Sequence, residues 1–201
     1  MKKVLIILLL LPTIALTQTK EEFDFVAPIH ENVVAVKKGN TWGFIDADGH
    51  IIIDFRNDLV LSKTNHGNYP MFMDNRCLIS VKKEGILYFG YIDKTGKTVI
   101  EPEFLNAQNF SNNQALALAV IKEELGRNEI LGKNVIAHRC FEVIIDENGD
   151  IKSYLNPKGV NVVLDKKSLK KPPKITSKII SKNLYAVLNE NKKWIIIKID
   201  N

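Results

Sequence analysis

Trp42-Gly43-Phe44-Ile45-Asp46-Ala47-Asp48-Gly49 returns 47 positions later as Phe89-Gly90-Tyr91-Ile92-Asp93-Lys94-Thr95-Gly96. A self-similar stretch at this separation marks a repeat architecture, in which each unit buries its apolar surface against a neighbour. Strand alternation puts Trp42 and Phe44 on one face, and Gly43 and Ile45 on the other. Both faces are largely apolar, which suits a strand flanked on both sides. The Asp-x-x-Gly that follows is a turn. The aspartate bonds its own backbone and the glycine takes positive φ, giving a type I turn closed by a glycine bulge.

Working outward, Val33-Val34-Ala35-Val36 precedes the motif as a β-branched run, and Ile51 to Phe55 follows it. The polar Lys37-Lys38-Gly39-Asn40 separates the first two strands, so the unit reads as a three-stranded meander. A second unit repeats this through Leu78 to Val81, Leu87 to Ile92 and Thr98 to Glu101. A third is degraded: Leu116 to Val120, Val135 to Ile145, then the turn Asp146-Glu147-Asn148-Gly149. Its Glu142-Val143 stands where the aromatic–glycine pair belongs. A partial fourth unit runs from Tyr185 to Leu188, through a polar turn at Asn189 to Lys193, into Trp194 to Ile199.

The pattern resembles the WG-repeat (KWG-repeat) family of bacterial proteins. The residues that carry it are Trp42-Gly43, the aromatic-Ile-Asp step, the Asp-x-x-Gly turns, and Val99-Ile100-Glu101-Pro102 with Phe110-Ser111. The resemblance covers about 80 residues. It implies β-hairpin repeats and no shared catalytic residues.

The expected fold is all-β: antiparallel hairpin or meander repeats stacked as an open twisted array, with a small barrel or incomplete propeller as the alternative. The expected units are residues 31–60, 77–112, 115–155 and a partial 184–201, within one β-repeat domain from 18 to 201. Insertions at Asn57 to Arg76, Lys122 to Asn134 and Asn156 to Lys182 explain the irregular period. Within the second, Glu123 to Leu131 has the composition of a short helix, weakened by Gly126. Glycine inside a strand marks close approach, so aromatic residues of adjacent units are expected over Gly43 and Gly90. Pro102 cannot donate to a ladder and should end its strand or lie on an edge. Trp194 should cap the stack.

The N-terminus reads as a signal peptide. Lys2 and Lys3 precede the apolar run Val4 to Leu11, and Ala15-Leu16-Thr17 offers small residues for cleavage before Gln18. The chain is therefore expected to be exported, periplasmic or secreted. Without the leader the formal charge falls from +5 to +3, and no nucleic-acid partner is expected. No membrane contact beyond the leader is expected.

Candidate chemistry is sparse. Asp46-Ala47-Asp48-Gly49 and Asp146-Glu147-Asn148-Gly149-Asp150 are rich in oxygen ligands. Neither has the glycine at position six or the glutamate at position twelve of an EF-hand loop, and both read as turns. No metal or cofactor is expected. Cys77 and Cys140 are an even pair in an exported chain, which permits either a disulfide or two small buried thiols. His30, His50, His66 and His138 are scattered, and no nucleophile elbow or phosphate loop appears. The basic run Lys166-Lys167-Ser168-Leu169-Lys170-Lys171-Pro172-Pro173-Lys174 reads as an extended, solvated linker. Two functions follow. The first is a non-enzymatic scaffold or binding module of the envelope or secreted fraction, with a protein or glycan partner. The alternative is a hydrolase acting on cell-wall material, with an acid such as Asp48 or Glu142.

Overall fold

The computed structural model describes residues 21–129 and 132–199 of the chain. The expected leader and its cleavage point lie outside the described residues. Every described strand pairs antiparallel, no helix is present among the described residues, and none of the sheets closes into a barrel.

The first sheet holds β1 (Phe25–Val26), β2 (Val34–Lys38), β3 (Thr41–Ile45) and β4 (Ile51–Arg56) in that order. A small hairpin follows, β5 (Ser62–Thr64) with β6 (Gly67–Tyr69). The second sheet holds β7 (Phe72–Met73), β8 (Arg76–Lys83), β9 (Ile86–Ile92) and β10 (Thr98–Phe104). In the third, β12 (Lys133–Asp146) pairs with β11 (Gln114–Asn128), β13 (Ile151–Tyr154) and β14 (Val160–Val162). The last holds β15 (Lys178–Ser181), β16 (Leu184–Leu188) and β17 (Trp194–Lys198). The meander therefore gains a short strand before it in the first and second sheets, and the fourth sheet is the bare three-stranded meander. The stretch expected as a bare insertion at Asn57 to Arg76 supplies both the β5–β6 hairpin and β7.

Cross-strand register aligns the units better than spacing does. Ala35 faces Phe44, Leu78 faces Tyr91 and Leu116 faces Ile144. In each sheet one face looks forward to the next unit and the other looks back. Phe44, Trp42 and Ile53 look forward and pack with Phe72, Cys77, Ile79 and Ile92. Tyr91, Phe89 and Ile100 look forward onto Ala115, Ala117, Val143 and Ile145. Leu116 and Ile144 meet Tyr185 and Val187 of the last unit. The core is thus a series of slabs between sheets, and each slab belongs to two units.

Gly43 and Gly90 are required by their own unit, not by aromatic rings of the adjacent one. A Cβ at Gly43 would lie 2.8 Å from the Ile53 carbonyl oxygen, with the Phe55 ring at 3.5 Å. At Gly90 it would strike the Ile100 carbonyl oxygen and sit 2.7 Å from Pro102 N. Both β4 and β10 carry register shifts here, and the bulged backbone leans over the bare glycine. Pro102 lies within β10, the outer strand of its sheet, where no ladder bond is demanded of it.

Over its described part, Glu123 to Glu129, the expected helix of Glu123 to Leu131 is not formed. β11 runs on to Asn128 and pairs residue by residue with β12, with one irregularity between Glu124 and Gly126. Long-range pairing with a β-branched partner segment, Val135-Ile136, overrides the local helix preference. Trp194 lies on the outward face of the last sheet, half exposed, with Lys178 Nζ 4.7 Å from its ring centroid.

Candidate functional site

The three Asp-x-x-Gly turns are built alike. One carboxylate oxygen of each aspartate accepts the amides two and four residues on: 2.9 and 2.8 Å at Asp46, 2.8 and 3.2 Å at Asp93, 2.9 and 3.0 Å at Asp146. Gly49, Gly96 and Gly149 hold φ near +88°, +80° and +90°, a region that side-chain-bearing residues rarely adopt. Two of these glycines also make the contact between units. A Cβ at Gly96 would meet Ile53 Cγ2 at 3.3 Å, and one at Gly149 would meet Ile100 Cγ2 at 2.9 Å. The second and third turns therefore each rest on an isoleucine of the preceding unit.

A second set of turns, which the repeat motif alone does not reveal, opens the units. Glu31-Asn32, Asp74-Asn75 and Asn112-Asn113 all take positive φ, as two-residue type I′ hairpins require. They are tied together. Glu31 accepts the amides of Asp74 and Asn75 at 2.7 and 3.0 Å, and Asp74 accepts the amide of Asn113 at 2.7 Å. Lys94 reaches back to the Glu31 carbonyl oxygen and carboxylate, and the Arg76 guanidinium donates to the Glu147 carbonyl oxygen. Gln114 continues the pattern by donating to the Lys182 carbonyl oxygen and accepting from the Tyr185 hydroxyl. The signal was present as an Asn one or two positions before the strand each turn leads into: Asn32, Asn75 and Asn113.

Asp46, Asp48 and His50 each bring a ligand atom within 4.8 Å of the others. One Asp46 oxygen is occupied by two amides, and the other lies 3.4 Å from His50 Nδ1. These turn bonds account for the cluster. Cys77 and Cys140 are free thiols, so of the two readings the structure takes the buried one. Cys77 lies in the slab between the first two units and Cys140 in a cluster with Ile86, Leu105 and Leu118. Their strands, β8 and β12, belong to different sheets and do not pair.

The repeat stacking is interrupted between the third and fourth units. There an open cleft of about 950 Å³ is lined by Leu118, Leu155, Val160, Val187 and Ile195, with Asn156, Asn161, Asn189 and Asn191 among its polar groups. Two substitutions in the repeat explain its place. Ser153 occupies the position of Ile53 and Ile100, seven residues after the turn aspartate, so no isoleucine seat is offered. Glu142 replaces the Trp42 and Phe89 ring. Glu142 is buried and its carboxylate is fully engaged. It accepts the amide and hydroxyl of Thr176 at 2.8 and 2.7 Å, and the amide of Ser177 at 2.9 Å together with the Ser177 hydroxyl. Its own amide donates to Asn156 Oδ1 at 2.6 Å. Glu142 thus fastens the incoming segment of the fourth unit across the back of the cleft. At the mouth Lys158 and Glu190 form an exposed ion pair at 2.8 Å that links the two walls.

The basic run beside this cleft is folded rather than extended over its first half. Asp165 accepts the amides of Lys167 and Ser168 and the Ser168 hydroxyl. The turn this makes tucks Leu169 against the cluster of Ile86, Leu105 and Leu118. Asn106 then holds the Pro173 carbonyl oxygen at 2.7 Å. The lysines are exposed, but the segment is a strap packed on the second and third units, not a free linker.

A family model described as WG containing repeat matches residues 22–42, 42–58 and 89–124. These segments are WG repeats, as the resemblance carried by Trp42-Gly43 and Phe89-Gly90 implied. The matches cover the first unit, much of the second and β11 as far as Glu124, so the rest of the third unit and the fourth are assigned from turn geometry and register. No curated protein and no solved structure matches the chain.

Proposed function

We propose that this WG-repeat chain is a non-enzymatic binding module of the cell envelope or secreted fraction, and that the cleft between its third and fourth units takes a protein or glycan ligand. The observation that carries the reading is the cleft itself: a concave, largely apolar surface with convergent amide side chains, in a stack whose first two junctions hold continuous hydrophobic slabs. Ligand sites favour such breaks between packed bodies. The leader supports the compartment. Glu142, the acid best placed for hydrolytic chemistry, has its oxygens taken by Thr176 and Ser177, which supports a structural role for it. The Asp-x-x-Gly and opening turns are likewise used up in holding units together.

The test is enrichment from an envelope extract by the immobilised chain starting at Gln18, run beside Val160→Glu. Val160 is 64% exposed in the cleft wall, so the substitution spares the core. The reading expects a protein or glycan retained by the parent chain and lost with the variant. Equal retention by both would remove the cleft as the site. Clearing of cell-wall material in a zymogram would replace the reading with the hydrolase.

A further inference from the structure

The last sheet is turned around. Asn189 builds the same turn as the three aspartates, its side-chain oxygen accepting the amides of Asn191 and Lys193 at 3.0 and 2.9 Å. Counting back from it, Tyr185 and Val187 hold the positions of Trp42 and Phe44. Yet they pack backward, with Leu116, Ile144 and Leu155 of the third unit. The outward side of this sheet is therefore the side that the second and third units bury. Leu188 holds the position of Ile92 and Ile145, and both of those are fully buried.

Register sets what this side carries. Lys178, Ala186 and Ile196 form one row, and Leu188 and Trp194 the next. All point outward, because Tyr185 and Val187 between them point in. Trp194 is 47% exposed and Ile196 58% exposed, and neither joins a buried cluster among the described residues. Ile180, at the irregularity of β15, is 52% exposed. Lys178 Nζ lies 4.7 Å from the Trp194 ring centroid. The charge of the unit has one sign. Residues 178–199 hold five lysines, at 178, 182, 192, 193 and 198, against one acid, Glu190. Glu190 lines the cleft and is paired with Lys158.

We propose that this outward face docks on an anionic phospholipid surface, with Trp194 and Ile196 among the headgroups and the lysines against the phosphates. Charge complementarity and residue type together select the occupant. A tryptophan settles at a membrane–water boundary, where its ring is partly dry and its N–H stays wet. Lysines lay their stems along apolar surface and hold the ammonium at the level of the phosphates. Each lysine so placed raises affinity for an anionic surface about five-fold. A glycan would be held by carboxylates or amides that bond its hydroxyls, and neither row contains one. The contact goes beyond the cleft and does not depend on it. It revises the expectation of no membrane contact beyond the leader, since these residues share a face only through the register of β15, β16 and β17.

Co-sedimentation of the chain from Gln18 with vesicles tests this, phosphatidylglycerol in phosphatidylcholine against phosphatidylcholine alone. Binding is expected to the first only, weakening as salt is added. Indole emission should shift to the blue and be quenched by brominated acyl chains, which reach Trp194 and not Trp42 in its slab. Ile196→Glu should abolish binding, and Lys182→Gln with Lys193→Gln should lower it about 25-fold. Lys170→Gln with Lys171→Gln on the strap should leave it within about two-fold. Val160→Glu in the cleft should leave it unchanged, so the cleft reading stands or falls separately. Thermal melting checks that the variants fold, and Ile180→Glu replaces Ile196→Glu if that one does not. Absence of binding to the anionic vesicles would overturn the proposal. So would a strap variant that loses as much as the Lys182 and Lys193 pair, or binding to soluble polygalacturonate or polyglutamate as tight as to vesicles.

Discussion

Gly149 lies directly on Ile100, although 49 positions separate them: a Cβ at the glycine would come within 2.9 Å of Ile100 Cγ2. Gly96 sits on Ile53 in the same way at 3.3 Å. The turn glycine therefore has two duties, positive φ and a flat surface for the neighbouring unit. Gly49 has only the first.

Alanine separates the two duties. At Gly49 it should cost about 1 kcal/mol, the strain of positive φ alone. At Gly149 the strain is joined by a clash with Ile100, and the cost should rise to about 2–3 kcal/mol. Gly96 should fall between them. Urea midpoints of the three variants check the order, and equal losses would show that the seat on isoleucine contributes nothing.

Glu142 offers a second measurement. Replacing it by Gln keeps the shape but turns one acceptor into a donor facing the amides and hydroxyls of Thr176 and Ser177. Loss of charge-assisted bonds in a buried setting should cost about 2 kcal/mol. Hydrogen exchange at the Ser177 amide should accelerate more than at Ile144, since the strap detaches before the sheet opens.

The carboxylates that tie the turns set an acid limit. Burial pushes Glu31 up, but the amides of Asn75 and Asp74 and the ammonium of Lys94 outweigh it and hold the carboxyl below its usual range. Burial likewise pushes Asp93 up, and Thr95 and the Lys97 amide bring it down past its ordinary value. Asp146 follows the same balance, with Lys152 the strongest opposing group. A group whose folded pKa is depressed contributes stability above its unfolded pKa, and that contribution fades as pH falls through the folded value. Stability should therefore be level near neutrality and drop below about pH 4. Glu31→Gln should flatten that drop, measured as the urea midpoint against pH.

The thiols give a fourth test. Burial pushes Cys77 up to about 12, and burial with the nearby Glu142 charge pushes Cys140 up to about 11. Neither should react with an alkylating reagent at pH 8 while the protein is folded. On partial unfolding Cys140, at the edge of the cleft, should be modified before Cys77. Mass spectrometry without reductant should find both free; a bonded pair would contradict the separation of β8 from β12.

The repeat was legible where one residue type answers one backbone demand. Asp46, Asp93 and Asp146 with their glycines could be read as turns because the carboxylate–amide geometry is local. Pro102 on an outer strand followed from its missing donor. What escaped were features fixed by residues far apart in sequence. Gly43 and Gly90 announced a close approach, but the approaching atoms, a bulged strand of the same unit, depend on register. The segment from Glu123 to Asn128 is helical by propensity and a strand because Val135 and Ile136 lie opposite. Glu142 looked like a damaged aromatic position, and its donors, Thr176 and Ser177, come from a segment that read as an insertion, Asn156 to Lys182.

The carboxylates of Glu31 and Asp74 each grip the amides of the next opening turn, so mechanical continuity runs along one edge of the molecule. Such a chain of nearest-neighbour couplings melts from its ends inward. The fourth unit, held by Gln114 in place of an acid, should be the first to fray under heat or force. The inner slab around Tyr91, Phe110 and Val143 should be the last to let go.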